Sequence, residues 1–223
     1  LAPITSPYSR QPQLTLTAYN QNILRGDLDF IGNFVDFNHP TLVNGKRYMA
    51  YPSLSLPLQN SFAYFTPKVG VNLTHYALDR NTTPLPDTTR SLPILSAESG
   101  FVLERDTAVI GQRLTQTLEP KIYYVYIPFR DQSRIPNFES GLQDINFATI
   151  FSENQFSGYD RINDANQVTF GLTSRFLNTD NGIERLRVGV AQRYYFRSQR
   201  VSLPGVPPRS DQSSTSDLLA VVS

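Results

Sequence analysis

Few residues in this 223-residue chain are equipped for chemistry, and their spacing argues against a catalytic centre. Cysteine is absent, which excludes thiolate nucleophiles, disulfides and thiolate metal sites. The two histidines, His39 and His75, stand far apart. His75 could join a surface hydrolase site, but no serine motif or partner carboxylate accompanies it. Neither histidine has a zinc-type spacing. Asp27 and Asp29 could form an acid pair, yet two positions apart on a strand they more simply line one polar face. Arg25-Gly26-Asp27 matches an adhesion tripeptide, Asn72-Leu73-Thr74 and Asn81-Thr82-Thr83 match glycosylation acceptors, and all three patterns are short enough to arise by chance. No glycine-rich phosphate loop is present. Arginines beside Tyr194 could stack on single-stranded nucleic acid, but a net charge of +1 gives that reading no electrostatic support. The expectation is a non-enzyme with no cofactor, no metal and no nucleic-acid partner.

What positions the polar groups is a series of strands. Charged residues make up 17% of the chain, against about 25% in ordinary soluble domains, and no apolar run approaches the roughly 18–20 residues of a membrane helix. Alternation of period two appears instead. After a proline-rich, irregular lead-in over residues 1–12, Leu14, Leu16 and Ala18 oppose Gln13, Thr15 and Thr17. Leu28, Phe30 and Phe34 oppose Asp27, Asp29 and Asn33 within Asp27 to Phe37. A third segment, Arg47 to Leu58, alternates Leu54, Leu56 and Leu58 with polar residues and Pro57. A fourth, Phe62 to Leu78, sets Val69, Val71 and Leu73 against Lys68, Gly70 and Asn72. A fifth, Ile94 to Arg105, is less regular. The sixth, Arg113 to Ile127, is the clearest: Leu114, Leu118, Ile122, Tyr124 and Tyr126 oppose Arg113, Thr115, Thr117, Glu119 and Lys121. A seventh, Gln167 to Phe176, and an eighth, Ile183 to Phe196, place Arg175, Arg185 and Arg187 on polar faces, and a ninth begins near Asp217.

The connections between these segments alternate short and long. The long ones fall at about 38–46, 79–93, 129–165 and 198–216. Membrane barrels sort their turns and loops in this way; a soluble β-sandwich, which shares the alternation of faces, has no reason to. The segments ending at long loops carry Phe37, Tyr76, Tyr123, Tyr124, Tyr126, Tyr194, Tyr195 and Phe196 near one level, the expected position of an outer aromatic girdle. An arginine or lysine facing hydrocarbon costs about 2–4 kcal/mol, so the polar face should line a wet lumen: Asp27, Asp29, Lys68, Arg113, Glu119, Lys121, Arg175, Arg185 and Arg187. Nine strands with unpaired ends do not make a closed barrel, so the fold expected is all-β, an antiparallel transmembrane β-barrel segment of about nine strands, one partial domain (1–223) of a larger barrel, in a chain that looks cut at both ends. Within the longest connection, Asp144 to Phe151 reads as one helical turn or a short strand. Its aromatics Phe138, Phe147, Phe151, Phe156 and Tyr159 are too many for a disordered link, so it should fold against something.

One stretch carries more than pattern. Leu118-Glu119-Pro120 opens a tyrosine-rich strand, and Pro128-Phe129-Arg130-Asp131-Gln132-Ser133 follows. Phe156-Ser157-Gly158-Tyr159-Asp160-Arg161-Ile162 and Ala165-Asn166-Gln167 then precede Gly171-Leu172-Thr173-Ser174-Arg175. This run, dense over about sixty residues, resembles the C-terminal barrel region of the LptD family, outer-membrane proteins that assemble lipopolysaccharide at the bacterial cell surface. The resemblance implies a very large barrel preceded by a periplasmic β-domain missing here, with lipopolysaccharide received from a periplasmic LptA-type bridge and passed to the outer leaflet. It also implies an LptE-type lipoprotein plug in the lumen. The long connection, especially Phe156, Tyr159, Asp160, Arg161 and Ile162, is then expected to grip that plug, while the lateral exit, between the first and last strands of the barrel, should lie outside this chain. A porin or nutrient-receptor barrel and a soluble β-sandwich adhesin are the other readings of the same strands.

Overall fold

The computed structural model describes residues 7–23, 25–79, 85–109, 111–209 and 213–223. The first six residues of the proline-rich lead-in, residues 80–84 with the Asn81-Thr82-Thr83 pattern, and 210–212 of the last long loop lie outside the described residues. Eleven strands form one antiparallel sheet: β1 (Ser9–Ile23), β2 (Gly26–Asn38), β3 (Gly45–Ser55), β4 (Leu58–Gln59), β5 (Ala63–Leu78), β6 (Thr88–Phe101), β7 (Leu103–Val109), β8 (Gln112–Ile127), β9 (Ala165–Asn178), β10 (Glu184–Tyr195) and β11 (Leu219–Val222). Across the sheet the order is β1-β2-β3-β5-β6-β8-β9-β10-β11, with β4 pairing β5 and β7 pairing β8. This meander has nine positions, as the sequence pattern predicts. β1 and β11 do not pair with each other, so the sheet stays open among the described residues.

The two extra strands have a simple origin in proline, which has no N–H to give to a ladder. Gly100 pairs with Lys121 and Leu103 with Leu118 in one unbroken register, which sets Phe101 opposite Pro120. The ladder lapses there, and the expected fifth strand is divided into β6 and β7. Pro57 likewise separates β3 from β4. At the other end, β6 begins at Thr88, although Pro93 suggests a later start. Pairing of β6 with β8 begins only at Leu95, so Pro93 lies where β6 has a ladder on the β5 side alone, an edge position that tolerates it.

Register puts every strand's alternate residues into common rows. Phe34, Tyr48, His75 and Thr89 form one row through successive pairs. Tyr124, Val168 and Tyr194 form another on the same face. This face is left open: Leu73, Leu95, Ile122, Phe170, Leu172 and Val190 are all exposed on it. The opposite face is covered by residues 128–164, the connection between β8 and β9.

The expected aromatic girdle divides between the two faces. Tyr124, Tyr126, Tyr194 and Phe196 lie on the open face, where Tyr194 and Phe196 meet edge to face at 5.1 Å, but Phe37, Tyr76, Tyr123 and Tyr195 are buried on the covered one. Adjacent residues of a strand point to opposite faces, so Tyr123 and Tyr124, or Tyr194 and Tyr195, cannot serve one belt. Phe34, Tyr48 and His75 complete the open-face row instead, with Phe34 and Tyr48 ring centroids 4.9 Å apart.

Candidate functional site: a loop latched across the covered face

The 128–164 loop is shaped by short-range bonds before it meets the sheet. Leu142 and Phe156 form an antiparallel bridge, and Ile150 N–H bonds to Asn146 O at 2.9 Å. That i to i+4 bond closes a single turn over 146–150, and the Asp144 to Phe151 stretch forms neither a helix nor a strand. Gly158 adopts φ +67, a left-handed conformation glycine takes without strain, and a Cβ there would stand 2.9 Å from Glu139 Cγ. The sharp turn delivers Asp160 to the strands.

Asp160 and Arg47 are fully buried and pair at 2.7 Å. Asp160 Oδ1 also accepts the Tyr76 hydroxyl at 3.1 Å, while Oδ2 accepts the N–H groups of Phe138 and Glu139, each at 2.8 Å. The carboxylate thereby ties β3, β5 and the first half of the loop to its second half. Arg47 completes its fork with Glu139 Oε1 at 2.5 Å and Asn33 Oδ1 at 3.0 Å. Arg90, on β6, reaches the loop from its other side, donating to Gln132 Oε1 at 2.8 Å and to the carbonyls of Asp160 and Tyr159 at 2.7 and 2.9 Å. Buried charges survive only when paired and hydrogen-bonded, and here the terminal nitrogens of two strand arginines reach loop acceptors that are in place only when the loop is seated.

Further anchors run the width of the sheet. Glu153 accepts from Tyr51 and Ser96 at 2.8 and 3.0 Å and pairs with Lys68 at 3.1 Å. Phe138 stacks on Phe37, with ring centroids 4.3 Å apart and planes at 5°. Ile135 and Phe138 close one apolar cluster with Val35, Phe37 and Tyr76, and Ile162 joins another with Leu92, Ile94 and Val125. On β10, Arg193 donates to Ile150 O. Two glycines make room for the loop's rings: a Cβ at Gly171 would come within 2.6 Å of Phe151, and one at Gly189 within 2.7 Å of Phe147.

Eight of the nine residues expected to line a lumen share this covered face. Lys121 pairs with Glu98 at 2.8 Å and stands 4.6 Å over the Phe151 ring. Glu119 pairs with Arg175 at 2.8 Å, and Glu184 with Arg187 at 3.0 Å. Asp27 and Asp29 are partly exposed near the β1–β2 turn, Lys68 meets Glu153, and Arg113 is exposed at the start of β8. The ninth, Arg185, is exposed within a bulge between Glu184 and Leu186, outside the regular alternation. Below the loop these groups enclose a cleft of about 370 Å³, lined by Tyr64, Glu119, Lys121, Phe147, Phe151 and Arg175 among others.

The five loop residues expected to meet a partner are placed differently. Phe156, Asp160, Arg161 and Ile162 are buried within the chain, and only Tyr159 keeps partial exposure. Arg161 donates to the carbonyls of Ile135 and Pro136 at 2.6 and 3.3 Å, holding the loop's own backbone. Burial pushes its guanidinium below the ordinary arginine range, with Asp160 and then Tyr76 pulling the other way. The strand partners Arg47, Arg90, Tyr76 and Asn33 are absent from the sequence-based set; the available signal is Arg47 at the end of a long loop, since Arg90 falls within the expected 79–93 loop and joins a strand only because β6 begins at Thr88. Of the two histidines, His39 is buried and accepts N–H bonds from Thr41 and Leu42 at 3.1 Å each, while His75 is exposed beside Thr89. Among the described residues no three His, Asp or Glu side chains come together as a metal site.

An open antiparallel meander with one exposed apolar face, and a polar face gripped by its own loop, is a segment of a β-barrel wall. The chain belongs to the LptD family: the family model described as LPS transport system D matches residues 2–223. It is 48% identical over 221 residues, 99% of this chain, to the LPS-assembly protein LptD of Thiobacillus denitrificans. It is 47% identical over 207 residues, 91% of this chain, to that of Nitrosomonas eutropha, and 45% over 226 residues, the whole chain, to that of Nitrosospira multiformis. The chain spans 30%, 28% and 24% of those relatives.

Proposed function

We propose that this chain is part of the wall of an outer-membrane translocon that carries lipopolysaccharide from a periplasmic LptA-type bridge to the outer leaflet. The observation that carries the reading, beside family membership, is the division of the sheet: an open face of exposed Leu, Ile, Val and Phe, and a covered face of ion pairs and buried arginines. In this reading the open face meets hydrocarbon and the covered face meets the lumen, where Lys68, Lys121, Arg175 and Arg187 would pass phosphorylated sugars. Such a division satisfies the cost of charge in lipid.

The 128–164 loop acts in this reading as a brace inside the lumen. Its latched side belongs to the chain, so an LptE-type plug would meet the side turned away from the sheet. Leu142, 60% exposed, and Ile145 offer the contact there. Site-specific photocrosslinking in the complete protein in cells tests both parts. Probes at Leu142 and Ile145 are expected to capture a small lipoprotein, a probe at Lys121 to capture lipopolysaccharide, and one at Ile122 to capture membrane lipid. Plug capture from Ile122, or capture of membrane phospholipid instead of lipopolysaccharide from Lys121 together with silence at Leu142, would reverse the inside and outside assigned to the sheet.

A further inference from the structure

Above the aromatic row of the open face, the segments 126–129 and 197–200 enclose a cleft of about 670 Å³ with Asp164 and Asn166 in its wall. Arg200 lies flat over the Phe129 ring, its guanidinium carbon 3.7 Å from the centroid, yet its side chain is 63% exposed. Its backbone is fixed: Asp164 Oδ1 accepts the N–H groups of Arg200 and Val201, each at 2.9 Å. Asp164 touches the guanidinium only through Nε, at 3.9 Å, and among the described residues the two terminal nitrogens hold no partner. Exposed Arg197 shares the cleft wall. Asn166 receives the Tyr124 hydroxyl on its amide oxygen at 2.9 Å, which leaves its amide nitrogen as a donor. A stacked, immobilised arginine with a free fork, beside a second arginine and an amide, is suited to a tetrahedral oxyanion.

The surface beneath the cleft is apolar. From Tyr126 and Phe196 it descends over Tyr124 and Tyr194 to Phe170, Leu172 and Val190, all on the open face. Cationic rim, aromatic belt and hydrocarbon face follow one another down the same three strands, β8, β9 and β10. We propose that this cleft holds the phosphate of a phosphate-bearing amphiphile, with Arg197 and Arg200 on the anion and the acyl chain along Phe170 and Leu172. The site lies on the outer wall and is separate from the lumen; it rests on the open face meeting the bilayer.

The test uses the complete protein with its plug in mild detergent, and native mass spectrometry to count retained dioleoylphosphatidic acid. Dioleoylglycerol and inorganic phosphate are the comparison ligands. Wild type should retain phosphatidic acid, Arg197→Gln/Arg200→Gln should retain it at least tenfold more weakly, and Arg200→Lys, which keeps charge without the flat stack, should fall between. Arg113→Gln, at the opposite end of the wall, should match wild type. Dioleoylglycerol should not be retained and phosphate should not displace the lipid. Heat-modifiable electrophoretic mobility identifies folded variants. Equal retention by the double variant overturns the site, and displacement of lipid by millimolar phosphate reassigns it to a free anion. A nitroxide at Leu172 in nanodiscs separates the two readings: in hydrocarbon, a failed lipid result sinks this site alone; in water, the wall assignment fails and the site with it.

Discussion

Asp160→Asn tests the latch with little change in shape. The carboxylate accepts Arg47 and Tyr76 on one oxygen and two backbone N–H groups on the other. An amide has one oxygen, so whichever way it turns its NH2 group faces two donors. Removing one member of a buried ion pair costs about 3–5 kcal/mol. Glu139 stays within 2.5 Å of Arg47 and keeps it partly neutralised, so the lower end, about 3 kcal/mol, applies. At about 1.4 kcal/mol per tenfold, the unlatched population should rise roughly 150-fold. Hydrogen–deuterium exchange in the complete protein in nanodiscs reads this directly, because the amides of Phe138 and Glu139 are protected by Asp160 itself. Both should exchange about two orders of magnitude faster, while β9 amides around Leu172 keep their rates. Unchanged exchange at Phe138 and Glu139 would refute the latch; equal acceleration throughout the sheet would show that Asp160 supports the whole fold instead. Arg47→Met/Asp160→Leu should recover only part of the loss, since the two N–H groups would still lack an acceptor.

Phe138→Ala removes the ring stacked on Phe37 and should cost about 3–5 kcal/mol, seen as faster limited proteolysis between residues 134 and 142. Gly171→Val should expel Phe151 from its seat and expose the 144–152 turn to protease without releasing Asp160. Leu172→Arg should destabilise the fold in lipid vesicles by about 2–4 kcal/mol, whereas Thr173→Arg, one residue on but on the covered face, should fold nearly as wild type. Lys121→Ala, which loses a partly exposed pair with Glu98, should lower the unfolding free energy from urea titration by no more than about 1 kcal/mol, with the difference shrinking in high salt.

The strands were legible because each repeats one choice many times: Leu118, Ile122 and Tyr124 against Thr117, Glu119 and Lys121 leave no second way to lay β8. The latch was less legible. Arg47 and Asp160 lie 113 residues apart, and nothing in alternation distinguishes an arginine that stays wet from one that a loop will bury. The aromatic residues suggest a belt by their position along the strands, which says nothing about the side each ring takes. Parity then sends Phe37 and Tyr76 inward, where they pack on Phe138. Pro93 and Pro120 were opposite lessons: the first lies inside a strand that has an edge, and the second interrupts its neighbour's ladder rather than its own strand.

The loop's attachments have a mechanical consequence. They begin on β2, where Phe138 stacks on Phe37, and reach β10, where Arg193 holds Ile150. A sheet free at both edges can flex between flatter and more coiled forms at little cost. A strut fixed near both ends sets the chord of that arc, so any change in curvature must stretch or crush the contacts at Asp160, Glu153 and the two glycine seats. The segment therefore carries its own radius, set by contacts within the chain and not by what lies beyond its edge strands.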